Sequence, residues 1–336
     1  MNEFASALLP VLVIIVTGYL LNRSGFICRE AWSGLEKLTY YLLFPALLIS
    51  SLGNQSLGGA PWSGILFVVL GTLSLVSLLL VSLLLITRLL VTRLPVSRFI
   101  SRSTINNARF TSIFQGGVRF NTYITFAVVQ DYYGAEGMTL AAITAGFMIV
   151  FINLLCIAVF AVWGKSRTTG LSAVLKEIVY NPLIIACLIG WFMSLSGTGL
   201  HETANDILQT IGKAALPLGL LAVGAALRPE AIKGHLSDIL TASVFQFGLK
   251  PTLIIGFIGL FGLQGIVAGV LIIAFMTPTA PSAYILARQL GGDAETMSSI
   301  ITFQTLLGFI LMPLIAFFAH CLAPWLYNVK SVRTVT

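Results

Sequence analysis

The feature that most constrains this chain is a set of long intervals without a charged side chain. The six longest cover residues 4–22, 38–87, 137–164, 178–200, 251–287 and 296–329. Because a charge at the centre of a bilayer is costly, intervals of this length indicate membrane-spanning helices. Only 9% of the residues are charged, whereas about a quarter are charged in soluble proteins. We therefore interpret the chain as an all-α membrane protein without a soluble enzyme core or a nucleic-acid-binding module.

Ten membrane spans fit the 336 residues. The interval 38–87 is too long for one crossing, and turn-forming residues between Gly53 and Pro61 divide it into two helices. The first span has no basic residues before it and no A-x-A cleavage site, so we expect a retained helix rather than a cleaved signal peptide. The predicted spans are 4–22, 34–52, 62–87, 104–133, 137–163, 178–196, 206–227, 237–261, 266–290 and 296–323.

Basic residues are concentrated in alternate loops of this layout. The loops between spans 1 and 2, 3 and 4, 5 and 6, 7 and 8, and 9 and 10 hold Arg23, Arg29, Arg88, Arg93, Arg98, Arg102, Lys165, Arg167, Lys176, Arg228, Lys233 and Arg288. The other loops hold none, and the C-terminal tail adds only Lys330 and Arg333. By the positive-inside rule, both termini are predicted to face outward.

Matches at fixed offsets indicate an internal repeat. An offset of 172 residues pairs Pro10 with Pro182, Gly18 with Gly190 and Pro45 with Pro217, and an offset of 158 pairs Ile143-Thr144 with Ile301-Thr302. The basic loop 88–102, present only in the first half, accounts for the change of offset. Single matches also arise by chance. Two halves of five spans must be inverted relative to each other, so we predict inverted repeats at 1–168 and 169–336.

Spans 4 and 9, which correspond in the repeat, both carry helix-breaking residues. Gly116-Gly117 precedes Arg119 in span 4, and Pro278 and Pro281 interrupt span 9. Glycine weakens a helix interior and proline removes a backbone donor. Irregular backbone at membrane depth occurs where it is buried in protein or lines a cavity, and paired breaks mark the binding sites of transporters. We therefore predict a binding site where the two breaks lie.

The charges near these breaks predict an anionic ligand. Half-helix N-termini carry partial positive charge, and Arg119 adds a cation that can bind a carboxylate through two parallel hydrogen bonds. Lys250, also within a span, either braces a helix through carbonyl groups or contacts the ligand. Asn153 and Gln304 suit hydrogen bonds between helices as well as ligand binding.

Short segments in a fairly specific order resemble the auxin efflux carrier family, which includes plant PIN carriers and bacterial malonate carriers. The segments are Leu9-Pro10 with Gly18-Tyr19-Leu20, Phe44-Pro45-Ala46-Leu47, Arg119-Phe120-Asn121-Thr122-Tyr123, Asn181-Pro182, Ala215-Leu216-Pro217-Leu218 with Gly224-Ala225-Ala226-Leu227, Lys250-Pro251, and Pro278 through Arg288. The resemblance covers nearly the whole chain. It implies a fold like that of bile-acid symporters and sodium-proton antiporters, in which broken helices 4 and 9 cross at the substrate site. It also implies a scaffold of helices 1, 2, 6 and 7, a moving transport group of helices 3–5 and 8–10, and a homodimer.

The resemblance also implies site residues. Asn121 matches the second asparagine of the plant motif Asn-Pro-Asn-Thr-Tyr, which faces the substrate carboxylate, whereas Arg119 and Phe120 replace its first two residues. The expected substrate-binding set is Arg119, Asn121, Thr122, Tyr123, Asn153, Thr277, Pro278, Thr279, Pro281 and Gln304, with Lys250 as a supporting cation.

We expect a secondary transporter that exports a small organic anion, such as an auxin-like molecule or a dicarboxylate, by elevator-type alternating access. The alternative is a sodium- or proton-coupled importer similar to the bile-acid symporters. An intramembrane enzyme is less favoured, since the three histidines form no nucleophile or metal motif. A membrane sensor is less favoured because the sequence leaves no room for a soluble domain. No cofactor, metal or nucleic-acid partner is expected. The expected location is the bacterial inner membrane.

Overall fold

The computed structural model describes residues 2–53, 61–93, 106–164, 179–232 and 234–322, and these contain helices and no strand. Four predicted features lie outside the described residues: the turn at 54–60, the basic stretch 94–105, the loop 165–178 with the repeat boundary, and the C-terminal tail. The all-helical fold class is confirmed for the part of the chain that the structure describes.

Fourteen α-helices follow one another along the described residues. They are α1 Asn2–Arg23, α2 Arg29–Leu38, α3 Phe44–Gly53, α4 Trp62–Arg93, α5 Asn107–Val118, α6 Thr122–Trp163, α7 Pro182–Leu195, α8 Glu202–Lys213, α9 Ala215–Ala225, α10 Leu236–Val244, α11 Lys250–Leu260, α12 Gly265–Met276, α13 Ser282–Leu290 and α14 Ala294–Leu322. Two π-helical turns, Thr39–Leu43 and Phe245–Leu249, join α2 to α3 and α10 to α11.

Within the described ranges, seven helical stretches are long and apolar enough to cross a membrane. One of them, Asn107–Trp163, has 57 residues, far more than the roughly 20 of a single crossing. It is divided at 119–121 and again inside α6, where Gly134 has a φ of 61°. Two further apolar helices, Pro182–Leu195 and Gly265–Met276, are shorter than a full crossing. The chain is thus a multi-pass membrane protein.

Prolines explain both π-helical turns. Pro45 and Pro251 have no N–H to donate, so the ordinary helical bond is missing at each. Immediately before each proline the helix widens: the Phe44 N–H bonds the Thr39 carbonyl, and the Lys250 N–H bonds the Phe245 carbonyl, both five residues back. These turns change the side-chain register within the two helices.

Small residues set the closest helix contacts. α1 packs along α9, and α3 packs against α7 and α8. A Cβ placed on Gly18 would overlap the carbonyl oxygen of Leu221, and one on Gly224 would overlap that of Ile15. The backbones of α1 and α9 therefore touch directly, as small residues allow in membrane helices. In the rest of the bundle, α5 packs on α10, and α6 packs on α12 and α4.

Candidate functional site

The first interruption, residues 119–121, separates α5 from α6, and its first and last residues have extended backbone. Arg119 has φ/ψ of −69°/162° and Asn121 has −99°/102°. The Asn121 Oδ1 accepts the backbone N–H groups of Tyr123 and Ile124 at 3.0 and 3.2 Å, so this side chain caps the N-terminus of α6. The predicted break is confirmed, and a side chain that was expected to bind substrate also begins a helix.

The glycines of span 4 do not form the break. Gly116 and Gly117 lie inside α5 and are buried. A Cβ on Gly116 would lie 2.7 Å from the Ile300 Cγ2, and one on Gly117 would lie 2.6 Å from the Leu80 Cδ2. Their role is therefore close packing against α14 and α4.

The second interruption separates α12 from α13 at the predicted prolines. α12 ends at Met276, Thr277 is extended with φ/ψ of −73°/148°, and α13 begins at Ser282. Pro278 is buried and Pro281 is half-buried, so both lie in the non-helical segment, as their missing N–H groups require.

Hydrogen bonds join the two interruptions. The Thr277 Oγ1 lies 3.2 Å from the Thr125 Oγ1 and 3.4 Å from the Asn121 backbone nitrogen, whose N–H it accepts. The Gly116 carbonyl, released by the end of α5, accepts the Thr279 hydroxyl at 3.0 Å and the Gln304 amide at 2.8 Å. The Gln304 Oε1 in turn accepts the Thr279 N–H at 3.1 Å. Polar groups of Thr277, Thr279 and Gln304 thus hold the two breaks together.

Lys250 braces the end of α5. Its side chain is fully buried, and its Nζ donates to the carbonyls of Arg119 at 3.0 Å and Val118 at 3.4 Å and to the Gln246 Oε1 at 2.9 Å. A cation at these carbonyls also complements the negative end of the α5 dipole. Of the two roles open to Lys250, the structure places it in contact with backbone carbonyls.

Gln246 is a residue of this region that the sequence analysis missed. Its Nε2 donates to the carbonyl of Thr277, and its Oε1 accepts from Lys250. It therefore links the lysine at one break to the backbone of the other. Its position four residues before Lys250 is the only local signal, since residues at this spacing share a helix face.

Arg119 lies at the contact between α5, α6 and α13. It is 9% exposed, and its Nη2 donates to the Asn153 Oδ1 at 2.7 Å. Its Nη1 is 3.5 Å from the hydroxyl of Ser282, the first residue of α13. These described partners are neutral. Two predicted residues, Arg119 and Asn153, are therefore brought together at a half-helix N-terminus, where an anion is favoured.

Two donors at the first interruption have no described partner. The Arg119 Nε and the Asn121 Nδ2 are buried without a hydrogen bond among the described residues. Buried donors are nearly always paired. Both are suited to bind an anion between the breaks.

Tyr123 points away from these donors, toward a different group of helices. Its ring makes an edge contact with Phe44 of α3 at 4.6 Å between centroids, and it lies against Gly219 of α9. Thr122, the first residue of α6, is half-buried beside it. Tyr123 therefore lies where α6 meets α3 and α9.

An all-helical multi-pass bundle with two interrupted helices joined at a buried polar site is typical of membrane transporters. The family model for membrane transport protein matches residues 4–114 and 165–316. The chain belongs to this family, which is the auxin efflux carrier family that its sequence resembles.

Two archaeal proteins that are named as transporters are similar to this chain. The chain is 23% identical over 313 residues to an uncharacterized transporter of Methanothermobacter thermautotrophicus, covering 91% of this chain and 95% of the relative. It is also 23% identical over 196 residues to an uncharacterized transporter of Methanocaldococcus jannaschii, covering 57% and 62% of the two chains. The family and these relatives identify the protein as a membrane transporter.

Proposed function

We propose that the protein is a secondary transporter of a small organic anion, which binds between the interrupted helices. The observation that carries the proposal is Arg119, a nearly buried guanidinium whose described hydrogen-bond partners, Asn153 and Ser282, are neutral. A buried charge is costly unless it is paired, so a carboxylate is the natural partner during transport. The Asn121 Nδ2, which has no described partner, adds a neutral donor.

The helix boundaries support ten crossings in two inverted repeats. Residues 107–118 of α5 and 265–276 of α12 coincide at the offset of 158, and both helices lead directly into an interruption. At the offset of 172, α3 at 44–53 corresponds to 216–225, which is nearly the whole of α9. Corresponding helices of equal length are expected if the two halves arose as repeats.

The packing supports elevator-type movement. α1, α3, α7, α8 and α9 form one contacting group, whereas α5, α12 and α13 contact α4, α6, α10, α11 and α14. α6 also touches α1, α3, α7 and α9, so it lies at the boundary between the two groups. We propose that the first group is the scaffold and that the second carries the anion past it. We also propose that the protein forms a homodimer, and we place it in the bacterial inner membrane with both termini outside.

The test is anion binding and flux by purified Arg119 variants. Wild-type protein is first screened for carboxylates that raise its melting temperature, and the best one is labelled for efflux from proteoliposomes. Arg119→Ala is expected to abolish both responses. Arg119→Lys is expected not to restore them, because an ammonium does not reproduce the planar fork of a guanidinium.

Arg288→Ala is the matched control, since Arg288 is an exposed cation in the last turn of α13. It should retain both responses. Normal binding and flux by a well-folded Arg119→Ala variant would refute the anion site. Flux that strictly requires sodium or a proton gradient would favour the coupled importer instead.

A further inference from the structure

The amide of Gln115 is a buried polar group that the site described above does not use. Gln115 lies on α5, one turn before Arg119, and its side chain is 0% exposed. Neither its Nε2 nor its Oε1 has a hydrogen-bond partner among the described residues. Burying a donor and an acceptor unpaired is destabilising, and an apolar residue of similar size would avoid that cost.

Neighbouring residues on the same helix face locate this amide. Thr111, one turn before Gln115, meets Phe160 of α6 and Ala287 of α13 around Gly292, where an added Cβ would lie 3.1 to 3.2 Å from all three. One turn after Gln115, Arg119 bonds Asn153 of α6 and Ser282 of α13.

Residues four apart share a helix face. Gln115 therefore lies between these two levels, on the face of α5 that is turned toward α6 and α13. That face also carries Arg119, so one ligand can reach both side chains when the site opens.

The chemistry of the two side chains restricts the ligand. Arg119 is the cation on this face of α5, whereas the Lys250 Nζ donates to carbonyls at the end of α5 and to Gln246. A second ligand charge at Gln115 would be buried without a counter-charge, which is costly. The unpaired amide offers a donor group and an acceptor group together, and a hydroxyl or a carboxamide can bond to both.

We propose that Gln115 is a specificity-determining residue that binds a neutral hydroxyl or carboxamide group on the same monoanion whose carboxylate binds Arg119. The proposal rests on the proposed function and deepens it, since it names the ligand class as a hydroxy- or amido-monocarboxylate. A second carboxylate would satisfy the donor of Gln115 and leave its acceptor unpaired. A simple alkyl carboxylate would leave both unpaired.

The experiment compares matched ligands on purified protein by calorimetry and by ligand-induced melting shifts. The pairs are lactate with propionate and 3-hydroxybutyrate with butyrate, and succinate is the dicarboxylate. Wild type should bind at least one hydroxy acid about tenfold or more tightly than its partner lacking the hydroxyl, because a site built to bond a hydroxyl discriminates strongly against its absence. Succinate should bind more weakly than that hydroxy acid.

Gln115→Leu should remove the preference while leaving the Kd for the alkyl carboxylate within about twofold. The melting temperature of the unliganded variant should be unchanged or higher, because an unpaired buried amide is lost. Thr144→Val is the control, since Thr144 also has a buried hydroxyl without a described partner. It should keep the full preference.

The outcomes separate the two proposals. Equal affinity within both ligand pairs, tighter binding of succinate, or an unchanged preference in a folded Gln115→Leu protein would each overturn the role of Gln115. If Arg119→Ala binds no carboxylate while Gln115→Leu still binds carboxylates, the proposed anion site at Arg119 is supported even where the role of Gln115 fails. If no carboxylate binds wild-type protein, the proposed function fails, and the role of Gln115 fails with it.

Discussion

At the residue scale, Asn121 combines two roles on one amide group. Its Oδ1 caps α6, whereas its Nδ2 is buried without a described partner. A simple alanine substitution removes both the cap and the donor. Its effect on anion binding would therefore be mixed with a loss of stability, and a variant that keeps the cap is needed to separate them.

Asn121→Ser provides that separation. Serine is as good an N-cap as asparagine, so the melting temperature without ligand should stay near that of wild type. Loss of the Nδ2 donor should weaken anion binding about 10- to 150-fold, since a hydrogen bond to a charged group contributes roughly 1.5–3 kcal/mol. Asn121→Ala should lose about the same affinity and also about 1 kcal/mol of stability. Calorimetry with the best carboxylate and thermal unfolding check both effects, and an Asn121→Ser protein of wild-type affinity would show that Nδ2 is not a ligand-binding group.

Lys250 should matter for stability more than for ligand charge. Lys250→Met removes the donor to two carbonyls at the end of α5 and to Gln246. Leaving buried acceptors unpaired costs about 1–3 kcal/mol, so thermal unfolding of this variant should shift downward clearly. Lys213→Met, at an exposed lysine in the last turn of α8, should change stability by no more than about 0.5 kcal/mol. Equal melting temperatures for the two variants would contradict the bracing role.

At the element scale, the sequence predicted the interruptions better than their causes. The break at Pro278 and Pro281 follows from local chemistry, because proline lacks an N–H wherever it occurs. The break near Gly116-Gly117 was placed correctly within a few residues, but these glycines stay helical and serve packing against Ile300 and Leu80. Tertiary contacts override helix propensity here, and a local pattern does not reveal them.

Hydrogen-bond partners that lie far apart in the chain could not be predicted from the sequence either. The bond from Gln246 to the Thr277 carbonyl spans 31 residues, and the bond from Gln304 to the Gly116 carbonyl spans 188. A polar residue in an apolar helix signals some buried partner. Which partner it has depends on how the helices pack, so the sequence alone found Gln304 as a candidate and overlooked Gln246.

The contact between α1 and α9 gives a prediction for helix packing. Gly224→Ala would place a methyl group against the Ile15 carbonyl and close to the Tyr19 backbone nitrogen, atoms that belong to the backbone and cannot rotate away. Separating the helices should cost about 1–3 kcal/mol, the usual range for overpacking. Gly256→Ala in α11 is the control, because a Cβ there meets no atom within 4 Å. Thermal unfolding should show a clear loss for the first variant and none for the second; similar values would mean that α1 and α9 are not in close contact.

At the scale of the whole molecule, the distribution of basic residues predicts orientation. The side of the membrane on which each loop lies is predicted from the cations alone, since twelve lie in alternate loops and two in the C-terminal tail. Cys28, exposed between α1 and α2, serves as a reporter for the side predicted to be cytoplasmic, and Lys330→Cys provides one for the other side. In a Cys321→Ser background, a membrane-impermeant maleimide should label intact cells through the introduced cysteine and not through Cys28. Labelling of Cys28 without permeabilisation would reverse the assigned orientation.

The electrical consequence of the proposed site follows from its uncompensated charge. The described partners of Arg119 and Lys250 include no carboxylate that could bind a coupling proton or sodium ion. One monoanion leaving a cell at about 100 mV, negative inside, gains about 2.3 kcal/mol, which corresponds to a gradient of about 50-fold. Proteoliposomes with an imposed potassium diffusion potential should therefore release the labelled anion faster when the interior is negative, and replacing sodium with choline should not slow the release. Release that is insensitive to the potential, or that stops without sodium, would require a coupling ion bound by backbone carbonyls and hydroxyls of the interrupted helices.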